Sequence, residues 1–213
     1  MKRIIILIAL ACNMLCAAAH TNISHSIAKY IEKNIGFIDS LQIANIEKMN
    51  DKGDSLTFKN GFNEDTSIRI CSSSFATLTL NKTTSVDAIL FPHDSTATMC
   101  IITTYKRPVL ESAIQFYDTE ANAIDNNFNL PNIKTDVQLS QFIQKPDTMS
   151  LMDFDQLSKS IEPYIFCITY LPQQQALCYQ LTPALLSKEE KTKTNAIIKQ
   201  RKFKWNGHLF NEY

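Results

Sequence analysis

A chain of 213 residues with 21 basic and 21 acidic side chains carries no net charge, so it exerts no global pull on nucleic acid. Its glycines, Gly36, Gly53, Gly61 and Gly207, are all isolated, which excludes a glycine-rich phosphate cradle and the nucleotide chemistry that goes with it. The length suits one large domain or two small ones, and no low-complexity linker marks a boundary, so a single domain over residues 20–213 is expected.

Met1-Lys2-Arg3 places positive charge ahead of an apolar run over residues 4–11, which continues weakly to Ala17-Ala18-Ala19. This is the pattern of a cleavable signal peptide over residues 1–19. A transmembrane helix needs about 20 consecutive apolar residues, and Asn13 interrupts the run, so the protein is expected to be exported to the periplasm and not to be transmembrane. Ala9-Leu10-Ala11-Cys12 loosely follows a lipoprotein box, which offers a lipid anchor at Cys12 as the alternative. Without residues 1–19, 19 basic residues face 21 acidic ones.

In chain order, Ile23, Ile27, Tyr30 and Ile31 predict a short amphipathic helix, with Thr21 or Asn22 placed to cap it. Ile38, Leu41, Ala44 and Met49 predict a second, ending near Asn50-Asp51-Lys52-Gly53. From about Ser67 the texture turns β-branched and aromatic, with strands predicted over 68–71, 75–80, 85–91, 97–105 and 111–117. Connections this short enforce antiparallel neighbours and hence a meander. A short helix is expected near 136–143. Another follows Ser150, with Leu151, Phe154, Leu157 and Ile161 as its buried stripe. Residues 164–170 and 176–181 predict a hairpin across Pro172-Gln173-Gln174, and Ser187-Lys188-Glu189-Glu190 is a capping box. The chain closes on the amphipathic strand Lys202-Phe203-Lys204-Trp205 and an Asn206-Gly207 turn. The expected class is α+β: an antiparallel meander plus a second hairpin region, with short packing helices at the N-terminus and between the strand groups.

No arrangement reaches the specificity of a catalytic or metal motif. No Gly-x-Ser-x-Gly elbow, His-Glu-x-x-His or Cys-x-x-Cys occurs, so no catalytic residue, metal or cofactor is assigned. His93-Asp94 in the turn after residue 91 looks catalytic, yet a base needs an orienting partner and a nucleophile within reach, and the sequence supplies neither nearby. Asn50-Asp51-Lys52-Gly53-Asp54 lacks the alternation and closing glutamate of a calcium loop. Asp153 and Asp155 do not share a helix face.

The uneven feature is the tail, where Lys188, Lys191, Lys193, Lys199, Arg201, Lys202 and Lys204 face Glu189 and Glu190. Arg201, Lys202, Lys204 and Trp205 are therefore the binding candidates, suited to an anionic envelope component such as lipid phosphate or acidic glycan, or to an envelope protein. The competing reading is a solvated lysine face with Phe203 and Trp205 in the core. Cys167 and Cys178 lie symmetrically about Pro172-Gln173, so a tight hairpin centred there would set them opposite each other and allow a disulfide. A one-residue slip would put them on opposite faces, leaving them as packing residues.

Three stretches, Thr98-Met99-Cys100-Ile101-Ile102-Thr103-Thr104-Tyr105, Glu111-Ser112-Ala113-Ile114-Gln115-Phe116-Tyr117-Asp118-Thr119 and Phe203-Lys204-Trp205-Asn206-Gly207-His208-Leu209-Phe210, resemble an exported Bacteroidales family, domain of unknown function 3256. The likeness covers about the second half of the chain well and the segment before Ser67 poorly. It implies an envelope location and transfers no catalytic residue. It also implies a cysteine pair in the turn that here reads Lys106-Arg107-Pro108-Val109-Leu110, which has none, so no disulfide or redox role carries over there. The expected function is a non-catalytic binding or assembly module of the envelope. The alternative is a periplasmic hydrolase whose residues, His93 or His208 among them, converge only in the fold.

Overall fold

The computed structural model describes residues 22–50, 52–93, 96–133, 135–183 and 186–213. The expected signal peptide, Cys12, Thr21, Asp51 and Asp94 lie outside the described residues. No described helix is long and apolar enough to cross a membrane.

Among the described residues two helices come first. Helix α1 (Ile23–Asn34) is capped by Asn22, whose side chain accepts from the Ser24 amide, and α2 (Ser40–Glu47) by Asp39, which accepts from Gln42. Ile23, Ile27 and Ile31 recur at helical spacing and are fully buried. Seven strands then run as an unbroken antiparallel meander: β1 (Ser55–Lys59), β2 (Asp65–Ser72), β3 (Phe75–Thr79), β4 (Thr84–His93), β5 (Thr96–Tyr105), β6 (Glu111–Tyr117) and β7 (Ala123–Ile124). A second antiparallel sheet has the order β11-β10-β9-β8, from β8 (Tyr164–Leu171), β9 (Ala176–Pro183), β10 (Arg201–Trp205) and β11 (Phe210–Glu212). A 3-10 turn (Leu139–Gln141) and helices α3 (Leu151–Ser160) and α4 (Lys188–Thr194) fill the connections. The class is α+β, as the sequence indicates.

Side-chain alternation along the meander builds two cores. Ile68, Ile70, Leu78, Val86, Leu90, Met99 and Ile101 pack under α1 and α2. On the opposite face Ile89, Phe91, Cys100, Ile102 and Phe116 meet Phe166, Ile168, Leu177, Tyr179 and Phe203 of the second sheet. The layers are therefore helices, large sheet, small sheet, and the central strands are apolar on both faces for that reason.

The structure departs from the sequence reading in four places. The strand β1 and the start of β2 precede Ser67, because Leu56 and Phe58 are only half-buried and give a weak periodic signal. The helix expected near 136–143 contracts to the 3-10 turn. Leu151 is 74% exposed, as is its neighbour Met152 at 79%; the inward side of α3 is carried by the partly buried Phe154 and Leu157 and by buried Ile161 at its end. The β8–β9 loop holds residues 172–175, so Cys167 pairs with Gln180 and Cys178 with Thr169 instead of with each other. The extra loop residues come as a pair, so both cysteines keep the outer face but sit diagonally, and both thiols are free.

Candidate functional site

The tail residues do not form one surface. In β10 the alternation turns Phe203 and Trp205 inward, with Arg201 on their side, while Lys202 and Lys204 point outward. Arg201 is committed: its Nε and Nη2 donate to Glu212 at 2.7 and 2.6 Å, and its guanidinium stacks on Phe142 and Phe203 at 5.5 and 5.2 Å. Glu212 holds its pKa below the ordinary glutamate value because it accepts these bonds. Trp205 is 5% exposed, its indole N–H donates to the Pro92 carbonyl at 2.7 Å, and its ring lies among Phe91, Phe128 and Phe210. Of the four tail candidates, Lys202 and Lys204 remain placed to meet an outside partner.

The fold does bring together two histidines that are far apart in sequence. The His93 ring stands 5.6 Å from that of His208, edge to face, with Phe128 and Trp205 beside it. The His208 amide is held by the Asn206 side chain in the β10–β11 turn, whose Gly207 adopts φ +108°.

Sequence reasoning missed Asp87. It faces the space between the sheets with Ile89 and Phe91, and burial pushes its carboxyl up to about 6, with Lys106 pulling the other way. Beside it, burial first and Asp87 second push the Cys100 thiol well up, which rules it out as a ready nucleophile. An acid interrupting the apolar run Val86-Asp87-Ala88-Ile89 was the available signal. Asp87 lines neither of the two grooves described below.

The first groove, about 720 Å³ between α3 and α4, is lined by Asp153, Glu190 and Lys193 among others. Those charges are already engaged. Asp153 accepts from Ser150, Glu190 accepts from the Ser187 amide, and Lys193 pairs with Glu189 at 3.1 Å.

The second groove, about 810 Å³, runs along β6. Strand β7 pairs with β6 through Phe116 and Tyr117 alone, so residues 111–115 border the groove as an edge without a strand partner, along which Ser112 is buried with its hydroxyl on the Ile168 carbonyl of β8. The far wall is the segment after β7, and its asparagines explain its shape. Asn126 accepts from the Phe128 amide at 2.7 Å and Asn127 from the Asn129 amide at 3.2 Å, supporting left-handed backbone at Phe128 (φ 50°) and Asn129 (φ 69°). Phe128 is thereby driven into the core against Phe116, and the wall is tied to the second sheet by Phe210 N donating to the Phe128 carbonyl at 2.9 Å. The end of the groove is fixed by Asp118, which accepts from Glu120, Asn122 and the Asn122 side chain, and by Lys33 of α1, which donates to the Glu120 carbonyl. Tyr179 also lines it, fully buried, and its hydroxyl has no hydrogen-bond partner among the described residues. A buried hydroxyl without a partner costs about 1 to 3 kcal/mol, a cost that an incoming group would relieve only by reaching this closed position.

The three-layer arrangement is similar to a solved domain of an uncharacterized protein from Porphyromonas gingivalis W83, with a TM-score of 0.68 at 17% identity, covering 89% of this chain and 96% of that one. At that identity the likeness concerns the fold alone. No curated protein matches. The family model described as "Protein of unknown function (DUF3256)" matches residues 35–210, reaching from the turn after α1 through the meander, the groove and the second sheet, and the chain belongs to that family.

Proposed function

We propose that this protein is an exported, non-catalytic binding or assembly module of the cell envelope, and that the groove beside β6 is where it binds. The observation that carries the reading is the edge at residues 111–115, without a strand partner and facing a pinned wall, with Tyr179 buried in the groove lining. A sheet edge left open beside a preformed groove is a template for another chain or an extended ligand. Export is supported by the charge and apolar pattern of residues 1–19, and the mass of the secreted chain tests it: a start at His20 supports simple cleavage, a lipidated start at Cys12 the anchored form. Lys202 and Lys204, outward on the second sheet, are the remaining candidates for contact with lipid phosphate or acidic glycan.

Affinity capture from an envelope extract tests the groove. Residues 20–213 are compared with an Ala113→Trp variant, in which an exposed alanine of the groove lining becomes a bulky ring. A partner retained by the parent and lost by the variant supports the reading; equal retention contradicts it.

The His93–His208 pair favours a second reading, a periplasmic hydrolase. Screening ester, glycoside and peptide substrates with His93→Ala and His208→Ala controls decides it, since turnover that survives both substitutions removes the pair from consideration.

A further inference from the structure

We infer that the occupant of this groove is an extended segment of a partner polypeptide carrying lysine or arginine, which adds to β6 as a strand continuing the line of β7; this rests on the groove being the binding site.

Hydrogen-bond parity shows which backbone groups are offered. The Lys106 amide donates to the Thr83 carbonyl, which makes that pair a bonded one. Bonded pairs recur at every second residue of an antiparallel ladder. Following the register Thr84↔Tyr105 and Tyr105↔Glu111, the even-numbered residues of β5 bond to β4 and the odd-numbered ones to β6. In β6 the odd residues are then turned to β5, and the N–H and C=O of Ser112 and Ile114 are turned away from it toward the groove; Ser112 is 6% exposed with its hydroxyl against β8, so the half-buried Ile114 is the more accessible of the two. The other end of the strand agrees, because the Asp118 amide donates outward to the Asn122 carbonyl at 3.0 Å. Residues 111–115 offer roughly 17 Å of edge at the usual rise per residue.

The other sheet edges lack this combination. Strand β1 borders neither groove, and its Lys59 is paired with Asp65. On β8 the Ile168 carbonyl already accepts from Ser112 Oγ at 3.4 Å. Strand β11 spans only Phe210–Glu212.

Charge selects the occupant. Glu111 and Asp125 line the groove, both exposed, and neither is paired with a cation among the described residues. Among the described residues the remaining polar lining is amide or hydroxyl, with no lysine or arginine. A second copy of this chain presenting its own β6 would set Glu111 and Asp125 against their like, so a basic partner segment is the complementary one. Tyr179, whose hydroxyl is closed to solvent in the free protein, would add a side-chain hydrogen bond once the incoming strand reaches it.

The test uses residues 20–213 and two synthetic nine-residue peptides, one alternating valine with lysine and one alternating valine with glutamate. Amide exchange of Ser112 and Ile114 is followed by NMR. The lysine peptide is expected to slow both amides by about ten-fold or more, the glutamate peptide to leave them unchanged, and the Glu111→Lys/Asp125→Lys variant to reverse that preference. Binding of the lysine peptide without protection of these amides, equal protection by both peptides, or a dimer formed through β6 without peptide would each overturn the inference. The groove reading fails separately. If Ala113→Trp abolishes envelope capture while neither peptide protects the edge, the groove stands and strand addition falls; if envelope capture is unchanged, the groove reading falls.

Discussion

Arg201 grips Glu212 through two parallel hydrogen bonds across the β10–β11 pair, and its guanidinium lies against Phe142 and Phe203. A residue that reads in sequence as one of a run of surface cations is thus a structural clamp holding the last strand. Arg201→Gln is expected to destabilise the protein by about 1 to 2 kcal/mol, the worth of a two-pronged, partly shielded pair with stacking. Lys202→Gln and Lys204→Gln should leave stability unchanged. Urea unfolding of the three variants distinguishes them. Because the pair lowers the folded-state pKa of Glu212, its contribution is present above the unfolded glutamate value and fades as pH falls through the folded one.

Asp87 has the opposite sign. Its folded-state pKa of about 6 lies above the ordinary 3.8, so between those values the unfolded chain releases its proton first, and stability falls as pH rises through that window. Asp87→Asn should therefore leave stability unchanged near pH 4 and raise it by about 1 to 3 kcal/mol at pH 8. Denaturation midpoints at the two pH values check this; equal shifts at both would show that Asp87 is well solvated in the fold.

The cysteines follow from the hairpin register. With Cys167 opposite Gln180 and Cys178 opposite Thr169, their Cα atoms are diagonal neighbours, a relation that usually spans about 7 to 8 Å and exceeds what a disulfide accepts. Alkylation of the non-reduced protein should label Cys71, Cys100, Cys167 and Cys178, with fully buried Cys100 reacting only on unfolding. Recovery of a Cys167–Cys178 crosslinked peptide would show a register different from the one described.

How much of this was legible in the sequence depends on how local each cause is. The caps at Asn22, Ser150 and Ser187 and the strands β3 to β6 depend on neighbours a few residues away, and they read out well. The loop of residues 172–175 shows the limit, since its two extra residues preserve the faces and change every pairing. The role of Arg201 depended on Glu212, eleven residues on and across a turn, and so a count of charges ending at Lys204 misjudged it. The groove was invisible because it is an absence of pairing: β7 covers only Phe116 and Tyr117, and a wall built from residues 125–133 reads as an ordinary asparagine-rich loop until its bends are seen.

Tyr179 links stability to binding. Removing a buried hydroxyl that has no partner should stabilise the free protein, so Tyr179→Phe is expected to gain about 1 kcal/mol while weakening the lysine peptide several-fold. Thermal unfolding with and without peptide reports both effects. Loss of stability on substitution would mean that the hydroxyl is already satisfied in solution.

The most direct measurement of the groove's role is photocrosslinking in an envelope fraction from two positions on opposite edges of the seven-stranded sheet. One photoreactive side chain replaces Ala113, on β6 in the groove lining, and the other replaces Thr57, exposed on β1. The account predicts a discrete crosslinked partner from position 113 and none from position 57. The same adduct from both positions, or one from position 57 alone, would contradict it.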